Sequence, residues 1–157
     1  MSVIDTRQFE GLRLHVYKDS VGKSTIGYGH NLQGGNNAHL EALGLDLEDL
    51  LSGDTDLTLN QAEALFQLDM ADARVAVKRL VPNLDDMPQV VQDILCDLMF
   101  NMGVGTLSKF RNTLEAFNNE DWQRASNGLR QSKWYRQVGH RSRVICNTLD
   151  NIQVSLL

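Results

Sequence analysis

Residues 10–30 read Glu10-Gly-Leu-Arg-Leu-His-Val-Tyr-Lys-Asp-Ser-Val-Gly-Lys-Ser-Thr-Ile-Gly-Tyr-Gly-His30. Two segments of this stretch, 15–19 and 24–29, alternate small or polar residues with apolar and aromatic ones around a turn that carries Gly22. Such alternation on both sides of a glycine turn predicts a β-hairpin. It is the only clear β-pattern in the chain, so we expect the remaining regular structure to be helical.

Helical patterns lie on both sides of the hairpin. A short helix is predicted at about 3–11, and Thr58-Leu-Asn-Gln61 is a capping-box pattern that opens a helix at about 59–80. At 1.5 Å per residue that helix is about 30 Å long, enough to join two lobes. Both prolines follow it, within 81–88. Further helices are predicted at about 91–102, 108–117, 120–130, 133–138 and 140–154.

These elements predict an α+β fold that is mostly α. A small N-terminal lobe at about 12–58, which contains the hairpin sheet, is joined by the helix at about 59–80 to an all-helical C-terminal lobe at about 81–157. We assign the first helix, 3–11, to the C-terminal lobe. The length of 157 residues fits one domain or two small lobes that share a core.

Composition excludes several classes of protein. The chain is 42% hydrophobic and 22% charged, which argues against a disordered or fibrous chain. Its formal net charge of -5 does not favour binding to nucleic acid or to an anionic membrane. It has no run of about 18 apolar residues and no recognisable secretory signal, so we expect a cytoplasmic chain that does not insert into membranes.

The two cysteines, Cys96 and Cys146, lie fifty positions apart without a second cysteine or a histidine at ligand spacing. We expect buried free thiols, and a disulfide is the alternative. No cofactor and no metal site are predicted.

Two carboxylates flank the junction between the first helix and the hairpin. Glu10 ends the helix beside apolar residues, where partial burial would keep its carboxyl protonated, whereas Asp19 lies at the polar end of the hairpin and would stay ionised. One protonated and one ionised carboxyl are what glycosidic bond cleavage requires. Taken alone, however, a helix-end glutamate and a turn aspartate are ordinary surface residues.

Thr25 adds a third group. With a hairpin loop over 20–24, Asp19 and Thr25 would lie opposite each other and share a face of the sheet. A loop one residue shorter would place Asp19 opposite Ser24 instead. A hydroxyl beside a carboxylate can orient a water molecule.

The stretch 10–30 resembles the signature of the phage-type lysozymes, the endolysins of glycoside hydrolase family twenty-four. The spacing from Glu10 to Asp19 to Thr25, followed by Gly-x-Gly-His, carries the resemblance, and the segments 61–69, 100–103 and 132–135 are similar to family counterparts. The resemblance implies a lysozyme-like fold and hydrolysis, with inversion, of the β-1,4 bond between N-acetylmuramic acid and N-acetylglucosamine in peptidoglycan.

By the same resemblance Glu10 is the general acid, Asp19 is the base that activates water, and Thr25 helps to hold that water. Inverting enzymes separate the two carboxyls by roughly 6.5–9.5 Å, which we expect here. Family counterparts also imply a structural ion pair between His30 and Asp69, which is preferred over a metal-ligand role for His30.

The resemblance further implies sugar contacts from both lobes. Two of the positions depart from the family pattern, because Asn101 is shorter than the usual glutamine and Asn31 replaces an apolar residue. Gly128 stands where a relative has a side-chain amide. For each of the candidate positions, the alternative is that the residue only fills the core or a loop. The candidate substrate-binding residues are Asn31, Phe100, Asn101, Thr113 and Gly128.

Three functions remain open at this point. The first is an active muramidase with which a phage or prophage lyses its host, acting as a monomer held in the host cytoplasm until a holin-type protein permeabilises the membrane. The second is a virion-associated or inactive lysozyme fold that binds peptidoglycan. The third is a chitinase-like or transglycosylase specificity.

Charge is unevenly distributed along the chain. Residues 123–157 carry six basic residues against Asp150 alone, whereas the regions 1–60 and 61–122 are both acidic. This basic C-terminal face is a candidate docking surface for the carboxylates of peptidoglycan stem peptides, and a solvated helix face is the alternative. Its members are Arg124, Arg130, Lys133, Arg136, Arg141 and Arg143.

Overall fold

The structure is a computed structural model that describes residues 4–34 and 37–155, with side chains as far as 152. The fold is α+β, mostly helical, with one small antiparallel sheet. Packing divides the chain into two compact units, one of which is Thr6–Asp72. The other begins at Ala73 and includes the residues up to Asp5. No described helix is both long and apolar enough to cross a membrane.

The first unit contains the sheet and three short helices. Strands β1, β2 and β3 lie in that order, and each neighbouring pair is antiparallel. The two-residue strand β3 was not predicted, because two residues are too short to show an alternating pattern. The elements are α1 (Thr6–Glu10), β1 (Arg13–Lys18), β2 (Ser24–Gly27), β3 (His30–Asn31), α2 (Ala38–Ala42) and α3 (Leu47–Ser52).

A compact apolar cluster holds this unit together. It joins the middle of β2 to the inner faces of the helices, and every member is nearly or completely buried. Burial of such aliphatic side chains contributes about 1.5–3 kcal/mol each to folding, which fixes the sheet against the helices. The buried members are Ile26, Leu32, Leu40, Leu50, Leu57, Ala62 and Leu65.

The long helix α4 (Leu59–Leu80) has the predicted bounds. Its start is a capping box in which the Thr58 hydroxyl accepts from the Gln61 amide at 3.1 Å and the Gln61 side chain accepts from the Thr58 amide at 2.9 Å. The boundary between the two compact units falls within this helix, after Asp72.

The second unit is helical throughout its described part. The apolar helix α5 ends before Gly103, as predicted, and α8 packs against α7 and α10. Helix α6 was not predicted, because four residues are too few to show a helical period. The helices are α5 (Gln89–Met102), α6 (Val104–Leu107), α7 (Arg111–Asn118), α8 (Trp122–Arg130), α9 (Lys133–Val138) and α10 (His140–Ser155). Cys96 and Cys146 are both buried free thiols, as predicted.

The position of α1 differs from the expected lobe assignment. We place the helix at 3–11 with the C-terminal lobe on sequence grounds, whereas packing groups Thr6–Glu10 with the sheet unit. A cation–π contact of Arg7 with Phe66 at 5.5 Å and an ion pair of Arg7 with Glu63 at 2.7 Å tie α1 to the first half of α4.

The predicted basic C-terminal face is wrong for Arg141, because this side chain is buried. Its guanidinium donates two hydrogen bonds, of 2.9 and 2.8 Å, to the fully buried carboxylate of Asp97. Arg130 pairs with Asp150 at 2.7 Å. A count of charges along a sequence does not show which helical face each charge occupies. Of the six basic residues of this face, Lys133, Arg136 and Arg143 are exposed and have no ion pair within the described residues.

Candidate active site

Glu10 ends α1 and is half-buried. Its carboxyl group packs directly against the Cα of Gly29, because a Cβ at that position would lie only 2.7 Å from Glu10 Oε2. Gly29 also has a φ of 76°, which side-chain-bearing residues rarely adopt. In the sequence alone, the pattern Gly27-x-Gly29 indicates a strand that a sugar approaches closely. In the structure, the Glu10 carboxyl occupies the space beside Gly29.

Gly29→Ala should therefore displace the Glu10 carboxyl. We expect a loss of about 1–2 kcal/mol in stability from the positive φ and a loss of activity of about a hundredfold from misplacement of the acid. Gly44→Ala is the matched control, because Gly44 has a φ of 71° and no neighbour within 4 Å of a Cβ. Denaturant titration and wall-hydrolysis rates measure both effects. Equal activity of the two variants would show that Gly29 does not position Glu10.

Asp19 follows β1 and stabilises its own turn. Its Oδ1 atom accepts hydrogen bonds from the Val21 amide at 3.0 Å and the Lys23 amide at 2.8 Å. No hydrogen bond to Asp19 Oδ2 is present among residues 4–34 and 37–152. One carboxylate oxygen is thus fixed by the hairpin, and the other is available to take a proton.

The predicted pairing of Asp19 with Thr25 is wrong, and so is the alternative pairing with Ser24. Tyr17 lies opposite Thr25 and Lys18 lies opposite Ser24. The Asp19 amide donates to the Lys23 carbonyl at 2.9 Å, so the loop contains only three residues. Because the Asp19 side chain caps this tight turn, Asp19 pairs with Lys23, which lies two residues before the predicted partner Thr25. Asp19 and Thr25 are diagonal neighbours on one face of the hairpin.

Thr25 is buried, and its hydroxyl donates to the Lys23 carbonyl at 2.9 Å. Its proton is therefore committed to the turn, and its oxygen lone pairs can only accept. A water beside Asp19 and Thr25 would thus donate one proton to each of them. This arrangement leaves an oxygen lone pair of that water free to attack carbon.

Tyr17 lies beside the candidate catalytic groups, although the sequence did not single it out. It lies opposite Thr25, and burial together with the nearby charges of Glu10 and Asp19 raises the pKa of its phenol, while Arg13 acts in the opposite direction. Strand alternation could have placed it on the face of Asp19, but only the correct register places it directly opposite Thr25.

His30 and Asp69 are brought together as the resemblance implies. His30 Nδ1 lies 2.7 Å from Asp69 Oδ2, and the side chains are 3% and 15% exposed. Within the described residues the buried Nε2 atom of His30 has no hydrogen-bond partner. The pair links β3 to α4, and a second such pair, His39 with Asp72 at 2.7 Å, links α2 to the same helix.

The candidate substrate-binding residues are distributed over both units. Asn31 lies in the first unit, where its side-chain oxygen accepts from the amides of Gln33 and Gly34 at 2.8 and 3.0 Å. This bonding shapes the loop that follows β3. Asn31 is therefore engaged in a turn, and only its amide nitrogen is left for a ligand.

The other four candidates lie in the second unit. Thr113 and Gly128 are in contact and line a cavity of about 320 Å³. Asn101 lines a different cavity of about 560 Å³, where its side-chain oxygen accepts from Trp134 Nε1 at 2.7 Å. Phe100 is half-buried beside it in α5. The structure thus groups two of the four in one cavity and places Asn101 in another. In the described part of the chain no three potential metal ligands cluster.

The chain is similar in sequence to several known proteins. The chain is 33% identical over 147 residues to the pre-baseplate central spike protein Gp5 of Enterobacteria phage T4, covering 88% of this chain but 26% of that protein. It is 26% identical over 153 residues to a protein of Dictyostelium discoideum named a probable T4-type lysozyme, covering 90% of this chain and 88% of that protein. It is also 32% identical over 135 residues to the peptidoglycan hydrolase gp36 of Pseudomonas phage phiKMV, covering 86% of this chain and 13% of that protein.

The chain therefore spans about a quarter of the T4 spike protein and a smaller part of gp36, but most of the Dictyostelium protein. Residues 7–147 match the profile of the phage lysozyme family, a range that includes Glu10, Asp19 and Thr25. The chain belongs to the phage lysozyme family.

Proposed function

We propose that this chain is a lysozyme-type peptidoglycan hydrolase that cleaves the β-1,4 bond between N-acetylmuramic acid and N-acetylglucosamine. The observation that carries the proposal is the contrast between its two carboxylates. Glu10 is half-buried against the backbone of Gly29, whereas Asp19 has one oxygen fixed by two amides and the other available. Family membership and the names of its relatives support the same activity.

The reaction follows from the roles of these groups. Glu10 in its protonated form donates a proton to the glycosidic oxygen as the bond from that oxygen to the anomeric carbon breaks. The anomeric carbon takes up positive charge, and a water attacks it from the opposite face while Asp19 Oδ2 accepts a proton from that water. The products are two saccharides, one with a new hydroxyl at the inverted anomeric carbon. Glu10 ends ionised and Asp19 ends protonated, and proton exchange with solvent restores both groups for the next cycle.

Thr25 orients the water in this scheme. Because its own proton is bonded to the Lys23 carbonyl, its oxygen accepts the second proton of the water. The water is then held by two acceptors, and its lone pair faces the sugar. His30 and Asp69 stabilise the unit that holds these groups and take no part in the proton transfers.

We further propose peptidoglycan as the substrate and a monomeric enzyme without a cofactor. For a phage endolysin, the setting is the host cytoplasm until a holin-type protein opens the membrane, and the cell wall thereafter. The relative named endolysin, from Acyrthosiphon pisum secondary endosymbiont phage 1, supports this role, with 29% identity over 120 residues.

A virion-associated enzyme is the second candidate. It is favoured by the similarity to a phage spike protein, of which this chain matches only a quarter. The chemistry would be the same, and only the place and time of wall cleavage would differ. Detection of the protein in purified virions, rather than in lysates alone, distinguishes this candidate from a free endolysin.

Digestion of purified sacculi followed by mass analysis of the released muropeptides tests the proposed bond. We expect saccharide fragments that end in reducing N-acetylmuramic acid, because water is the nucleophile. Fragments that end in 1,6-anhydro-muramic acid would instead identify a transglycosylase, and fragments that end in reducing N-acetylglucosamine would identify cleavage of the other glycosidic bond.

A further inference from the structure

Tyr17 is a polar residue of the sheet unit that the mechanism above does not use. It is half-buried in β1, directly opposite the buried Thr25 of β2. Opposite residues of an antiparallel pair share one face of the sheet, with Cβ atoms about 4.5–5.5 Å apart. Asp19 follows two positions later on the same side. The phenol therefore lies on the face of the hairpin that carries the water-activating groups.

The hydroxyl of Tyr17 has no hydrogen-bond partner in the described part of the chain. Among residues 4–34 and 37–152 it takes part in no hydrogen bond, although Tyr and Trp usually find a partner for their polar atom when they are buried. The ring itself is held, because the Arg13 guanidinium stacks over it at 4.9 Å from the centroid. The result is a fixed ring with a free hydroxyl.

The charges of both carboxylates affect the pKa of the Tyr17 hydroxyl. Burial is the main cause that raises the pKa of the Tyr17 phenol, and the negative charges of Glu10 and Asp19 add to it. The phenol therefore keeps its proton across the pH range in which a hydrolase of this type would work. A neutral phenol can both donate to and accept from a sugar hydroxyl or amide.

We propose that Tyr17 is a substrate-positioning residue, whose hydroxyl hydrogen-bonds the sugar bound at the Glu10 and Asp19 face of the hairpin. The proposal rests on the proposed function, since it assigns a contact for that substrate. Arg13 supports the contact by covering one face of the ring, so that the sugar meets the edge and hydroxyl of Tyr17 rather than that face. The sugar is thereby held with its anomeric carbon towards the water at Asp19 and Thr25.

Tyr17→Phe tests the contact, because it removes the hydroxyl and keeps the ring that Arg13 covers. Tyr28→Phe is the matched control in the same unit, since Tyr28 packs edge-to-face on Phe66 at 5.4 Å as part of the core. The substrate is a soluble glycan strand of alternating N-acetylglucosamine and N-acetylmuramic acid, and initial rates give kcat and KM separately.

We expect Tyr17→Phe to raise KM about tenfold, the effect of one lost neutral hydrogen bond, with kcat within about twofold of the wild type. In a Glu10→Gln background, calorimetric titration with the same strand should show affinity about tenfold weaker for Tyr17→Phe. Tyr28→Phe should change neither value, and thermal melting checks that both variants fold.

KM and affinity that are equal in the two tyrosine variants would overturn the role of Tyr17. A wild-type protein that leaves the strand uncleaved would instead overturn the proposed function. The affinity measured in the Glu10→Gln background does not depend on cleavage, so the two failures can be told apart.

Discussion

Glu10→Gln should abolish clearing of a sacculus suspension while the melting temperature stays equal to that of the wild type or rises. Gln keeps the size and shape of Glu but has no proton to give to the leaving oxygen. General acid catalysis contributes about 10²–10⁴-fold, so we expect the rate to fall by at least about a hundredfold. Because a neutral amide replaces a partly buried carboxyl against Gly29, the fold does not lose stability.

Glu63→Gln is the control for this substitution. Glu63 lies in the same unit and pairs with Arg7 at 2.7 Å, with both side chains about 40% exposed. Loss of such a pair costs about 1 kcal/mol or less, and activity should stay at the wild-type level. Lysis retained by Glu10→Gln would remove Glu10 from the mechanism.

Asp97→Ala should be the most destabilising of the substitutions considered for the second unit. Asp97 is completely buried in α5 and receives two hydrogen bonds from Arg141 of α10. Removal of one member of a buried ion pair costs about 3–5 kcal/mol, because the Arg141 guanidinium then stays buried without the carboxylate that compensates its charge. For a chain of this size the melting temperature should fall by roughly 10 °C.

Asp150→Ala is the comparison for the buried pair. Asp150 pairs with Arg130 at 2.7 Å, but the two side chains are 29% and 31% exposed. Water can replace much of that interaction, so we expect a loss of about 1 kcal/mol. Denaturant unfolding of both variants measures the difference. A loss for Asp97→Ala no larger than that for Asp150→Ala would contradict the structural role of the buried pair.

Local patterns explain which helices could be predicted from the sequence. The capping box at Thr58 and Gln61 and the stop at Gly103 are local signals, and both ends lie where the sequence places them. The elements that were missed, β3 and α6, contain two and four residues. Elements of that length form because the surrounding fold supports them, and their own pattern is too short to be recognised.

The hairpin shows why the geometry of the site was harder to predict. Its strands follow from alternation, but its register depends on the Asp19 side chain, which binds two amides of its own turn. The register in turn decides that Tyr17 lies opposite Thr25. The burial of Arg141 has a similar origin, since it depends on a partner, Asp97, that lies 44 residues away in the sequence.

The central claim is that Glu10 and Asp19 cleave the glycosidic bond in one step with a water nucleophile. Proton NMR of the digest, recorded in the first minutes before mutarotation, tests it most directly. The account predicts that the new reducing-end N-acetylmuramic acid appears first as the α anomer, because water attacks from the face opposite the leaving oxygen. A β anomer that appears first would contradict the account, because it requires two displacements and a covalent intermediate.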